Sequence, residues 1–76
     1  MRGQRYEINI TAKDNYYKVE VFKNGWRMVR VEDNNYIKVL DRLFNIYNDR
    51  MNRNVVNDDT RVIEKAIRAF RGYVGC

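Results

Sequence analysis

The chain has 76 residues and a formal net charge of +5 at pH 7, from 15 Lys and Arg against 10 Asp and Glu. It has no histidine and one cysteine, Cys76, which argues against general-base, thiol and zinc chemistry. We therefore expect one non-enzymatic domain over residues 1–76, with no metal or other cofactor. The lone thiol and the lack of a leader or long apolar stretch favour a cytoplasmic protein without membrane contact.

The first part of the sequence predicts three antiparallel strands. Residues 5–12 alternate strictly, with the apolar side chains on one side (Tyr6, Ile8, Ile10 and Ala12), as in a half-buried strand. A second strand is predicted at residues 16–23 and a third at residues 26–32. The Asn24-Gly25 pair between them is a strong hairpin signal. The three strands should form a meander.

The second hairpin requires a register irregularity. A two-residue loop alone would mix the faces of the two strands, whereas one additional residue pairs Val21 with Val29 and Val19 with Val31. Because a one-residue slip moves every side chain to the other face, we expect a bulge or a longer loop near Trp26. The valines then enter the core. The opposite face is predicted to be basic and aromatic, and consists of Tyr16, Lys18, Phe22, Trp26, Met28 and Arg30.

Two helices should follow, from residue 36 to residue 50 or 51 and from residue 58 to about residue 72. Asn and Asp residues precede or open both, as expected of capping residues. The first helix has a broad apolar stripe that implies contacts with both the sheet and the other helix. The second has an outward basic stripe of Arg61, Lys65 and Arg68. The predicted fold class is α+β, a three-stranded antiparallel meander followed by two helices packed on one face of the sheet.

These surfaces and the basic charge favour nucleic acid or a nucleoprotein complex as the partner. Aromatic rings can stack on bases while cations follow the phosphates. Arginine, the better phosphate ligand, outnumbers lysine ten to five. Glu7, Glu20 and Glu32 on the same sheet face oppose this interpretation, since carboxylates repel phosphate. Two alternatives remain. One is an inhibitor that docks Trp26, Phe22 and Met28 into a host protein, with arginines at the rim, and the other is a homodimer that buries the sheet face and uses only the charges of the helices.

Part of the sequence resembles sheet-type DNA readers such as integrase arm-binding and AP2-like domains. The resemblance rests on Tyr17, Val19 and Val21 of one strand, the Asn24-Gly25 turn and the helix that follows. It implies a sheet that contacts DNA, but the short Gly-rich third strand of those domains is absent and the second helix has no counterpart there. The format also resembles small phage proteins that inhibit host or defence machinery, which implies a host protein as partner.

Overall fold

The structure is a computed structural model that describes residues 4–75, with side chains as far as Tyr73. A three-stranded antiparallel sheet in the order β1-β2-β3 precedes two helices, so the predicted α+β fold is confirmed. Each element begins within one residue of its predicted start, and α1 and α2 extend slightly further than predicted. Cys76 lies outside the described residues. The elements are β1 (Tyr6–Lys13), β2 (Tyr16–Lys23), β3 (Trp26–Asp33), α1 (Tyr36–Asn52) and α2 (Asp58–Gly75).

Both hairpins close with two-residue turns. The turn residues Asp14, Asn15, Asn24 and Gly25 all have positive φ, between 52° and 86°. Positive φ at both central positions matches the twist of the flanking strands, and Asn, Asp and Gly tolerate it best. The second turn also contacts the residue that precedes β1, because the Asn24 side chain accepts a hydrogen bond from the Arg5 amide at 2.9 Å.

A β-bulge in β3 sets the register of the second hairpin. Lys23 pairs with Trp26 across the turn, and Phe22 pairs with Arg27. The pairing then shifts by one residue, so that Met28 is additional and Val21 pairs with Val29. The expected irregularity is confirmed, and so is the valine pairing. Of the two predicted forms, the structure has the bulge and not the longer loop, because the tight turn is kept and the additional residue, Met28, lies two residues after Trp26.

The helices cover the valine face of the sheet and form one core. Its buried residues are Val19, Val21, Val29, Val31, Val39, Leu43, Val62, Ile63, Ala66, Ile67 and Phe70. Three aromatic rings join the layers at one end of this core. Tyr36 of α1 stacks on Phe70 of α2 with ring centroids 5.1 Å apart, and Tyr17 of β2 meets both rings edge-on.

Asparagine residues cap both helices. The Asn35 side chain accepts hydrogen bonds from the amides of Ile37 and Lys38 at 2.9 and 3.3 Å. Asn57 accepts from the Thr60 amide at 3.1 Å and therefore caps α2. Asp58 and Asp59 occupy the first turn of α2, where negative charge favours the helix dipole. The side chain of Asp59 also contacts the sheet, at Tyr6 and Lys23.

Candidate binding surfaces

The outer sheet face is the side of the sheet opposite the helices. Directly paired residues in a sheet share a face, so the register defines its members. Four residues predicted there, Tyr16, Lys18, Phe22 and Arg30, do lie on it. The full set that we call the outer sheet face is Glu7, Asn9, Thr11, Lys13, Tyr16, Lys18, Glu20, Phe22, Arg27, Arg30 and Glu32.

Trp26 and Met28 were expected on this face, and the structure places them elsewhere. Trp26 pairs with Lys23, which contacts Asp59 of α2, so Trp26 lies at the end of the helix side of the sheet. It is 80% exposed there. Met28 is the bulge residue and packs against the core. Arg27 occupies the outer position instead, which could have been inferred by keeping the two-residue turn and moving the bulge beyond it.

Three of the four cations of the outer sheet face are paired with carboxylates. Glu20 lies 3.6 Å from the Lys18 ammonium and 3.5 Å from the Arg27 guanidinium. Glu32 lies 2.8 Å from Arg30. The fourth cation, Lys13, is exposed and makes no ion pair with any residue that the structure describes. With Glu7, which accepts from Asn9, the face holds four cations and three carboxylates, so its charges nearly cancel and it attracts phosphate only weakly.

Tyr16 adds a hydrogen bond to these ion pairs. Its hydroxyl donates to Glu32 at 2.5 Å. This bond lowers the pKa of the Glu32 carboxyl, with a further contribution from the charge of Arg30, and raises the pKa of Tyr16. Glu32 therefore stays ionised and committed to partners within the face. The outer sheet face is therefore mostly polar, and all of its cations except Lys13 are held by carboxylates of the same face.

A second surface, the α2 basic stripe, consists of Arg61, Lys65, Arg68 and Arg71. All four residues are exposed. Arg68 lies 3.3 Å from Glu64, but within the described residues the other three make no ion pair. No acidic residue follows Glu64 in the sequence. Three exposed cations without an ion pair therefore lie along one side of α2, whereas the outer sheet face has one, Lys13.

The carboxylates near the start of α2 have a structural use. Asp59 accepts a hydrogen bond from the Tyr6 hydroxyl at 2.5 Å and lies 3.2 Å from the Lys23 ammonium. The Tyr6 hydrogen bond lowers the pKa of Asp59, and the same bond raises the pKa of Tyr6 to about 12. Within residues 4–75, no three Asp, Glu, His or Cys side chains gather closely enough to hold a metal ion.

Comparison with known proteins adds nothing to the geometry. No family model matches the chain, and the searches of curated proteins and of solved structures found no match. Neither α1 nor α2, over the part that the structure describes, is long and apolar enough to cross a membrane.

Proposed function

We propose that this protein is a non-enzymatic nucleic-acid-binding protein that contacts the phosphate backbone with the α2 basic stripe. One observation carries the proposal. Arg61, Lys65 and Arg71 are exposed and have no ion-pair partner among the described residues, whereas three of the four cations of the outer sheet face, Lys18, Arg27 and Arg30, are paired. Unpaired cations can bind phosphate without first losing a carboxylate partner.

The spacing of the stripe suits a row of phosphates. Its members are three or four residues apart, which corresponds to about 4.5–6 Å along the helix axis at about 1.5 Å per residue. Three of the four are arginines, whose planar guanidinium can form two parallel hydrogen bonds to one phosphate. Such contacts release condensed counterions and carry no base preference of their own. The proposed binding is therefore largely independent of sequence.

The outer sheet face has a minor role in this proposal. Three of its four cations would have to leave Glu20 and Glu32 before they met a phosphate, and the freed carboxylates would then repel it. Tyr16 and Phe22 can still stack on an unpaired base, but they lie at opposite ends of β2. We expect the sheet to contribute less to affinity than α2.

Two triple variants with the same change in charge test the proposal. The first changes Arg61, Lys65 and Arg71 to Gln, and the second changes Lys18, Arg27 and Arg30 to Gln. Fluorescence anisotropy with labelled single- and double-stranded oligonucleotides should show that the first variant loses at least about tenfold in affinity, from the loss of three phosphate contacts. The second should lose much less. Equal losses would mean that net charge alone drives binding, and absence of binding by the unmodified protein would contradict the proposal outright.

A protein partner is the second candidate, and the exposure of Trp26 favours it. Tryptophan is enriched among the residues that dominate protein interfaces, and a side chain that is 80% exposed at a hairpin end is available for docking. Affinity capture from lysate with and without nuclease separates the two functions. A protein that remains bound after nuclease treatment and is lost with Trp26→Ala would favour the inhibitor. Nucleic acid recovered only without nuclease would favour the first proposal.

A further inference from the structure

One side of α1 remains exposed after the helix has packed on the sheet and on α2. Ile37 is 63% exposed, Phe44 36% and Met51 38%. Leu40 and Tyr47 lie between them and are partly buried against the core. The five residues, which we call the α1 stripe, are spaced by three and four residues alternately. This spacing is the heptad pattern by which one helix packs along another.

The α1 stripe is distinct from the part of the helix that enters the core. Val39 and Leu43 are fully buried, and Tyr36 stacks on Phe70 of α2. Leu40 follows Tyr36 by one helical turn, so the stripe begins beside the contact with α2. Ile37 and Phe44 lie further around the helix from Tyr36 than Leu40 does, and their side chains are more exposed than that of Leu40. Leu40 and Tyr47 contact the core, whereas Ile37, Phe44 and Met51 are not part of it.

The charges of α1 favour a second copy of the chain as the occupant of this stripe. A protein of net charge +5 repels itself, so self-association is least costly through a surface without cations. By helical periodicity, Lys38, Arg42 and Arg50 of α1 project away from the stripe. Asp41 and Asn48 flank the exposed side of the stripe. The Asp41 carboxylate accepts hydrogen bonds, and the Asn48 amide can both donate and accept them.

We propose that the α1 stripe pairs with the α1 stripe of a second copy in an antiparallel, two-fold symmetric dimer centred on Phe44. Ile37 then meets the partner's Met51, and Leu40 meets the partner's Tyr47. Asp41 lies beside the partner's Asn48, which donates an amide hydrogen bond to it, and symmetry repeats the contact. The antiparallel arrangement also opposes the two helix dipoles. The interface is small, because it is essentially one helix pair, so the dimer is expected to be weak.

Sedimentation velocity on nuclease-treated protein tests the dimer independently of nucleic-acid binding. The unmodified chain should shift from monomer to dimer as its concentration rises through the micromolar range. Ile37→Lys should raise the dissociation constant at least about tenfold, because it buries an unpaired charge in the interface. Val56→Lys is the matched control, since Val56 is a β-branched residue of similar exposure, 57%, in the loop between the helices. A chain that stays monomeric, or a dimer that Ile37→Lys leaves unchanged, would overturn the proposal.

Disulfide cross-linking tests the orientation of the two helices. In a Cys76→Ser background, we would mix protein that carries Asp41→Cys with protein that carries Asn48→Cys and oxidise the mixture. The antiparallel pairing predicts cross-linked heterodimers of the two variants and little homodimer of either. Circular dichroism confirms that each variant is folded. Dominant cross-linking of Asp41→Cys to itself would place the two-fold axis beside residue 41 instead of Phe44 and would contradict the proposed geometry.

Discussion

Tyr6 and Asp59 are joined by a 2.5 Å hydrogen bond between the Tyr6 hydroxyl and the Asp59 carboxylate, across 53 positions of the chain. Tyr6 is the first residue of β1, and Asp59 lies in the first turn of α2. Lys23, at the end of β2, contacts the same carboxylate. This contact therefore fixes the start of α2 on the sheet and helps to set the direction in which the α2 basic stripe faces.

Removing the Tyr6 hydroxyl should make the protein less stable in a pH-dependent way. The hydrogen bond lowers the pKa of folded Asp59 below its ordinary value, so its contribution is present above that ordinary value and is lost as the pH falls through the lowered one. Urea unfolding should therefore show that Tyr6→Phe is destabilised at pH 7 and that the difference from the unmodified protein narrows in acid. Tyr73→Phe is the control, because Tyr73 is exposed and its hydroxyl makes no hydrogen bond to another residue that the structure describes. A difference that is constant with pH would contradict this account of Asp59.

Trp26 and Val21 should respond in opposite ways to truncation. Val21 is fully buried, and Val21→Ala should lower the free energy of unfolding by about 2–4 kcal/mol through lost burial and a residual cavity. Trp26 is 80% exposed, and Trp26→Ala should change the free energy of unfolding by less than about 0.5 kcal/mol. Thermal unfolding followed by circular dichroism measures both. A large loss of stability in Trp26→Ala would show that its ring packs on the domain in solution.

The elements of this fold were predictable because their signals are local. Asn24-Gly25 marks its own turn, and the valines at 19, 21, 29 and 31 must share a face whatever the rest of the chain does. The position of the bulge was not predictable from the valines alone, because a bulge on either side of Trp26 pairs them equally well. Because the bulge follows Trp26 and does not precede it, Trp26 lies off the outer sheet face and Arg27 lies on it.

The ion pairs of the outer sheet face were harder to predict from the sequence than the strands and the turn. Alternation placed Lys18 and Arg30 on one face with Glu20 and Glu32, but it did not show which of them are within ion-pair distance. The pairs of Glu20 with Arg27 and of Glu32 with Tyr16 join different strands and therefore depend on the register. The α2 basic stripe was easier to predict, because helical spacing alone brings its members together.

Deleting Met28 should be tolerated, since Met28 is the additional residue of the bulge. Without it, Lys23 still pairs with Trp26, Phe22 with Arg27 and Val21 with Val29, so the valines stay in the core. Deletion of Arg30 is the matched control. It would move Val31 to the outer sheet face if the bulge is kept, or Val29 if the bulge is lost, so the core loses a valine in either case and the deletion should prevent folding. Dispersion of amide proton resonances distinguishes the two outcomes, and an unfolded Met28 deletion beside a folded Arg30 deletion would show that the bulge lies elsewhere.

The salt dependence of nucleic-acid binding should report the number of phosphates that the α2 basic stripe contacts. Four contacts correspond to a slope of log affinity against log salt of about −3.6 for duplex DNA and about −2.8 for a single strand. Changing Lys65 alone to Gln should reduce the magnitude of the duplex slope by about 0.9, because one fewer phosphate is neutralised. Lys18→Gln, which removes one paired cation from the sheet, should leave the slope close to its original value. Anisotropy titrations over a series of salt concentrations measure these slopes, and a flat response would favour the protein partner and the docking of Trp26.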